Sequence, residues 1–377
     1  MLLVLQAHRE NSVPTSFVTG VSGFVGGAVA RALLRAGWAV RGLVRAGADQ
    51  RNVEAIQRFA GPAETSEFER WEGHLLDPPS LYRAMADCDA VFHVAARYSL
   101  WNPRPREIYR DNVDGTRNVL EAARRAGVEK VVYTSTVGTL LPQPGGAPAN
   151  ESNVAALKDL RGHYKRSKWL AEQEVRKFAR EGLPVTIVHP SAPVGPFDVK
   201  PTPTGRMILD FLDGRAKAYT DTGLNIVAVE DVACGHLLAL ERGRIGESYV
   251  LGGENLSLLD IFRVLAECTD IMAPRFRIPA PALVPISLVS ELISRVTKRP
   301  PLVAWEAVVM SFKRMYFDSL KAREELGYEP GGARQALERA TLWFYENDYV
   351  TRRVNERVIE RLRRRYPETD VTPDATP

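Results

Sequence analysis

The sequence predicts an α/β protein built on a doubly wound parallel sheet, with a smaller, mostly helical substrate lobe toward the carboxyl end. Three observations carry this. Short apolar runs alternate with longer amphipathic stretches across the first 250 residues, the pattern of successive βαβ units. A glycine-rich turn follows the first run and opens the first helix. Beyond Pro190 the rhythm breaks into Pro- and Gly-rich sequence, Pro193-Val-Gly-Pro196 and Lys200-Pro-Thr-Pro-Thr-Gly205, where loops belong.

The strands are expected at Phe17–Thr19, Val40–Val44, Phe68–Glu72, Ala90–Val94, Lys130–Thr134 and Val185–His189, with helices near 24–36, 79–86, 107–126 and 162–181. Val227–Val229 and Tyr249–Leu251 read as a return of the chain to this sheet. The expected organisation is an extension over 1–14, a dinucleotide-binding domain over 15–190 with 226–252 returning to it, a substrate lobe from 191–225 and 253–349, and a tail over 350–377. In that tail Val350, Val354, Val358, Leu362 and Tyr366 form one apolar stripe in a basic helix, followed by a segment whose composition predicts disorder. The helix packs on its own domain or a second subunit, or else meets an anionic membrane surface.

With 377 residues, 45% hydrophobic and 25% charged, the chain is long enough for a two-lobed enzyme. A net charge of +4 with no basic stripe of interleaved aromatics argues against nucleic-acid binding. Cys88, Cys234 and Cys268 lie far apart with no metal-ligand spacing, so no metal is expected and a reducing cytoplasm is the default. The apolar stretch 278–297 contains Pro279, Pro281, Pro285, Glu291 and Arg295, which predicts a buried or interfacial helix, core rather than membrane-facing, and not a spanning one.

Thr19-Gly20-Val-Ser-Gly23-Phe24-Val25-Gly26 has the strand-before, helix-after setting of a pyrophosphate-binding turn. The second strand ends at Arg45, where NAD sites usually carry an acid for the ribose hydroxyls. A guanidinium there suits a 2′-phosphate, so NADP(H) is favoured over NAD(H), with Arg41 a weaker candidate for the same contact. Leu75, after the third strand, is a candidate cofactor contact, and the small Ala95 and Ala96, ending the fourth, leave room for a flat cofactor. Asp77 reads as a helix cap or a ligand contact, and His93 as a residue packed in or beside the sheet.

Tyr164 and Lys168 stand four residues apart in Tyr-Lys-Arg-Ser-Lys, hence on one helix face. The ammonium should favour phenolate, drawing the phenol down from about 10 so that it can relay a proton to or from a substrate oxygen. Lys168 could also hold the nicotinamide ribose. Thr136, at the end of the fifth strand, can orient that oxygen. The glycine turn, the hydroxyl strand end and the Tyr/Lys pair occur in this order along the chain, which makes coincidence improbable.

On these motifs, together with Asn112-Val-Asp-Gly-Thr116 and Pro190, the sequence resembles the extended short-chain dehydrogenase/reductases from about Ser16 to Phe344. Within them it is similar to the hopanoid-associated sugar epimerases, which are close to dihydroflavonol 4-reductases, through Gly162–Lys168, Asp198–Gly205, Asp221-Thr-Gly-Leu-Asn225 and Leu251-Gly-Gly-Glu-Asn255. The resemblance implies a Rossmann-type fold, Tyr164 as acid/base, Lys168 as ribose ligand and Thr136 as its hydroxyl partner. It places Pro190 near the nicotinamide and the substrate on the 198–205 loop, with Tyr219 and Asn225 as further contacts. His74 departs from the family's usual acid, and Arg45 suits NADPH-driven reduction better than epimerisation.

The expected activity is NAD(P)-dependent sugar epimerisation or reduction in hopanoid or related glycoconjugate metabolism, on a nucleotide sugar, a sugar-bearing lipid or a ketone. Alternatives are a dihydroflavonol-4-reductase-like ketone reductase, a 3β-hydroxysteroid-dehydrogenase-like enzyme on a lipid, and an NADP(H)-sensing protein without turnover. Dehydration is set aside, because Val137-Gly138 stand where an Asp-Glu pair would follow Thr136. A homodimer and a peripheral place at the inner membrane face stay open.

Overall fold

The computed structural model describes residues 13–61, 67–98, 104–297, 301, 305–352 and 355–367. Seven parallel strands form the main sheet: β1 (Thr15–Thr19), β2 (Ala39–Val44), β3 (Phe68–Glu72), β4 (Ala90–His93), β5 (Lys130–Thr134), β6 (Val185–Pro190) and β7 (Ser248–Leu251). Their order is β7-β6-β5-β4-β1-β2-β3, so the winding reverses between β1 and β4. In such sheets the ligand crevice lies at the carboxyl ends of the strands on either side of that reversal.

Apart from the edge strand β3, whose Phe68-Glu-Arg-Trp-Glu72 is largely exposed, the strands are mainly apolar because both faces are covered. Val18, Phe92, Val132 and Val188 pack beneath helices Phe24–Arg35 and Val229–Arg242. Their neighbours Phe17, Val91, Val131 and Ile187 face the opposite way, beneath helices Gly115–Ala126 and His163–Arg180. Alternation with a period of two thus feeds two cores from one sheet. The register sets Thr19 beside His93 and His93 beside Tyr133, which lines up the carboxyl ends on one edge.

A third core joins helices Pro203–Leu212, Leu258–Thr269, Ala333–Glu346 and Glu356–Arg365. In it Phe211 and Phe262 stack with ring centroids 5.6 Å apart. Helix Glu356–Arg365 covers the second half of the basic stripe. Val358 and Leu362 are buried, Arg361 donates to the Cys268 carbonyl, and Tyr366 and Arg365 bind Glu338, so its stripe packs on its own chain. Val354, and the tail from residue 368, lie outside the described residues.

Three elements differ from the sequence expectation. Strand Gly223–Ala228 belongs to a separate four-stranded sheet, paired with Ala192–Val194, Glu254–Ser257 and Arg314–Met315. Only the helix and strand that follow it rejoin the main body. An apolar run shows that a strand is buried, not which sheet receives it. The stretch read as one helix over 107–126 is broken by a π-turn at Arg110–Asp114, between Pro105–Tyr109 and Gly115–Ala126. Helix Ala280–Thr297 is not a core helix: its leucines and isoleucines face outward, and among the described residues no helix is long and apolar enough to cross a membrane.

Candidate active site

At the end of β1 the chain turns through Gly20, whose φ of +82° is a conformation only glycine adopts freely. The Gly23 amide donates to the Gly20 carbonyl at 2.8 Å, and helix Phe24–Arg35 begins with no side-chain cap and no acid in its first turn. Its free N–H groups and positive dipole end are therefore left for an anion. A Cβ on Gly26 would sit 2.1 Å from the Gly20 carbonyl oxygen, and one on Gly20 would sit 2.9 Å from Ala95. Glycine at both positions keeps the turn tight against the end of β4. This cradle fits a dinucleotide pyrophosphate.

Hydrogen-bond bookkeeping fixes His93. Thr19 Oγ1 accepts from the amides of Val94 and Ala95 at 3.1 Å each, so its single hydrogen goes to His93 Nδ1 at 2.8 Å. His93 Nε2 then donates to Thr116 Oγ1 at 2.9 Å, and Thr116 donates to the Asn112 carbonyl at 2.7 Å. Burial, with Lys168 nearby, pushes the imidazole pKa down to about 3. His93 is a neutral tie between the glycine turn and the π-turn.

Arg45 is exposed at the end of β2, and among the described residues no ion pair engages its guanidinium. Arg41 is committed elsewhere, donating to Glu69 at 2.6 Å and to the Ala84 carbonyl at 2.8 Å. The Leu75 side chain packs in the core against Gly115, and its carbonyl accepts from Asn118 at 2.9 Å. His74 Nδ1 accepts from the Leu76 amide at 3.1 Å, and Asp77 caps the following helix at Ser80. Ala95 is half-buried and Ala96 exposed at the mouth of the crevice, while Pro190 is buried at the end of β6.

Helix His163–Arg180 starts after Gly162, at φ +84°, and puts Tyr164 in its first turn and Lys168 one turn deeper. Thr136 lies two residues past β5 in extended backbone, its Oγ1 accepting from the Gly138 amide at 3.1 Å. Burial pushes the Tyr164 phenol up to about 12, and a hydrogen bond with Thr136 opposes that shift. The phenol is raised here, not drawn down as the Lys168 spacing suggested. Lys168 extends to the sheet, where its ammonium donates to the Thr134 carbonyl at 2.6 Å and lies 4.4 Å from the Tyr133 ring centroid. Burial takes Lys168 down to about 7, against the pull of the Glu172 carboxylate.

Four further residues belong to this site and escaped the sequence reading. Asn112 donates to Ser167 Oγ at 2.9 Å and to the Arg97 carbonyl at 3.1 Å, while its own Oδ1 accepts from the Arg97 amide at 2.7 Å. It thereby fixes the segment after β4 against the catalytic helix. Arg97 in turn is held by Asp111 at 2.6 Å and Glu107 at 2.8 Å. Tyr98 sets its ring edge-on to Tyr164, with centroids 4.5 Å apart. Glu172, buried one turn beyond Lys168, binds Ser135, His189 and Arg176. The motif Asn112–Thr116 was visible, but only the π-turn shows what its first residue reaches.

On the substrate side, both Asp198 carboxylate oxygens accept from the Thr202 amide, at 3.0 and 2.9 Å, and Oδ2 also takes the Thr202 hydroxyl at 2.8 Å. Arg51 donates to the Val199 carbonyl at 3.0 Å, which joins this loop to the segment after β2. Asn225 is not available to a substrate. Its amide is spent on Gly253, Asn255 and the Phe317 carbonyl, and its Oδ1 on the Gly253 amide. Tyr219 pairs into a small two-stranded sheet with Phe276–Arg277.

A bound nicotinamide dinucleotide would supply the hydride, held by the Gly20–Gly26 turn, the helix N-terminus and Lys168. Thr136 and Tyr164 share a hydrogen bond, an arrangement in which one could orient a substrate oxygen and the other exchange its proton. With its pKa raised, Tyr164 is held as the neutral phenol, the form that donates a proton to a carbonyl oxygen as it becomes an alcohol.

Comparison with known proteins identifies the family. Residues 16–252 match the model of the NAD dependent epimerase/dehydratase family. A Synechocystis sp. protein provisionally named dihydroflavonol 4-reductase is 42% identical over 89% of this chain and 95% of its own length. Sterol demethylase protein B of Methylococcus capsulatus is 35% identical over 89% of this chain and 100% of its own. The crystal structure of gox2253 superposes with a TM-score of 0.78 at 45% identity, over 90% of this chain and all of that one. The family model spans residues 16–252 and these relatives match this chain over about nine-tenths of its length, so the chain belongs to the NAD-dependent epimerase/dehydratase family and is an NAD(P)-dependent enzyme of the extended short-chain dehydrogenase/reductase type.

Proposed function

We propose that the protein interconverts a secondary alcohol and a ketone on a sugar-bearing substrate of hopanoid or related glycoconjugate metabolism, with NADPH as the preferred donor and reduction as the net direction. The hydrogen bond between Thr136 and Tyr164, at the carboxyl edge of the sheet, is the observation that supports this reading. Tyr164 acts as acid/base, Lys168 holds the ribose and Thr136 orients the oxygen. Arg45, exposed where a 2′-phosphate would lie, supports NADPH. Epimerisation uses the same residues twice, oxidising and then re-reducing one carbon, so the site chemistry serves both outcomes.

A second reading, direct reduction of a lipophilic ketone that carries no sugar, draws on the similarity to proteins named dihydroflavonol 4-reductase and sterol demethylase protein B. The deciding experiment identifies the nicotinamide that co-purifies with the protein and follows its absorbance during turnover. Exchangeable NADPH, consumed one for one with substrate and with a preference lost in Arg45→Asp, supports reduction. Retained NAD and a sugar epimer formed with no net absorbance change would overturn the reductive direction.

A further inference from the structure

Helix Ala280–Thr297 is built inside out. Ser287, Ser290 and Ser294 are 0%, 8% and 3% exposed, whereas Ile286, Leu288, Val289, Leu292 and Ile293 are 48–64% exposed. At 100° per residue the serines cluster on one side of the helix and the five aliphatic side chains on the other. A helix on a water-facing surface shows the reverse pattern. The apolar face continues in its chain neighbours, with Met272 and Phe276 75% and 74% exposed. Trp305, whose amide donates to Glu291 Oε1 at 3.2 Å, brings a partly exposed indole alongside.

Charge selects what covers this face. Between Ile271 and Arg299 the sequence carries Arg275, Arg277, Arg295, Lys298 and Arg299 against Glu291 alone. Exposed Lys313 and Arg314 follow the short helix Trp305–Ser311, and Asp221 is shared between Arg277 and Arg314. A second copy of the chain would oppose one cationic segment to another. An anionic lipid surface complements it, taking the aliphatic side chains at the acyl boundary, the indole at headgroup depth and the basic groups among the phosphates.

We propose that helix Ala280–Thr297, with Met272, Phe276 and Trp305, seats the enzyme on an anionic bilayer surface without spanning it. The inference stands whatever the substrate is, and its test needs no turnover.

The full chain is sedimented with vesicles of mixed phosphatidylglycerol and phosphatidylcholine, and with phosphatidylcholine alone. Wild type should partition at least roughly tenfold more onto the anionic vesicles, less so at high salt, and Leu292→Glu/Ile293→Glu should lose this binding while keeping its melting temperature. Equal sedimentation of variant and wild type would overturn the proposal, as would no sedimentation of either. A dimer in vesicle-free solution that the double substitution converts to a monomer would also overturn it, by assigning the face to a second copy.

Discussion

Glu172 Oε2 accepts a hydrogen bond from His189 Nε2 at 3.0 Å, within a site where both side chains are almost fully buried. The same oxygen takes the Ser135 hydroxyl at 2.6 Å, and Oε1 takes the Arg176 guanidinium at 3.0 and 2.7 Å. Ser135 directly precedes Thr136, and His189 directly precedes Pro190. One carboxylate on the helix that carries Tyr164 and Lys168 therefore binds the ends of β5 and β6, which deliver the other parts of the site.

Replacing Glu172 by Gln should be costly. Burial alone would raise its pKa, but His189, Arg176 and Ser135 outweigh burial and hold the carboxyl well below the usual range. A depressed carboxyl contributes stability that is present above its unfolded value, near 4.5, and is lost as pH falls toward the folded value. Glu172→Gln should lose about 3 kcal/mol at neutral pH, as expected for a broken buried pair. Urea unfolding at pH 7 and pH 3.5 checks this: the gap between wild type and variant should narrow in acid, and an unchanged gap contradicts the charged network.

Tyr164→Phe removes the only proton it could exchange with a substrate oxygen and leaves the ring that packs against Tyr98. Turnover should fall by about 10³, within the usual range for general acid–base groups, while nicotinamide binding changes less than about threefold. Parallel rate and fluorescence-binding measurements separate the two effects. Loss of cofactor binding equal to the loss of rate would move Tyr164 from chemistry to binding.

Much of this was legible in the sequence, for identifiable reasons. Strands buried on both faces must be mainly apolar, so β1, β2, β4, β5 and β6 announce themselves, and a pyrophosphate turn must have glycine where a Cβ would strike a carbonyl. The Tyr164/Lys168 pair shows because helix spacing is fixed. What stayed hidden depends on three-dimensional partners. Glu172 and Asn112 are ordinary polar residues on helices until their neighbours are known, and the π-turn that aims Asn112 leaves the apolar period nearly intact. Lys168 shares a face with Tyr164, yet its long side chain reaches past the phenol to the Thr134 carbonyl. The 280–297 segment reads as apolar, but whether its serines or its leucines face the protein depends on the packing.

Gly26→Ala tests the cradle. The added carbon would lie 2.1 Å from the Gly20 carbonyl oxygen, and backbone rather than a flexible side chain would have to yield. Forcing the turn apart displaces the helix N-terminus that meets the pyrophosphate. Nicotinamide affinity should drop by at least about 10², read by fluorescence titration, with secondary structure retained by circular dichroism. Wild-type affinity in the variant would place the dinucleotide elsewhere.

Asp198 makes the 198–205 loop sensitive to pH. Burial raises its carboxyl to about 6, with the Thr202 hydrogen bonds and Arg206 opposing the shift. Between the unfolded value near 3.9 and the folded value the native state binds more protons than the unfolded chain, so stability falls as pH rises through this window. Above it the penalty is constant. At about 1.4 kcal/mol per pKa unit, the loss should amount to roughly 2 kcal/mol once water reaching the loop is allowed for. Asp198→Asn, which keeps an acceptor for Thr202 but cannot ionise, should flatten the stability profile between pH 4 and about 6.5 and leave the variant the more stable form at pH 7.5. Urea midpoints at closely spaced pH values provide the measurement, and parallel profiles for the two proteins would show that Asp198 ionises freely in the folded state.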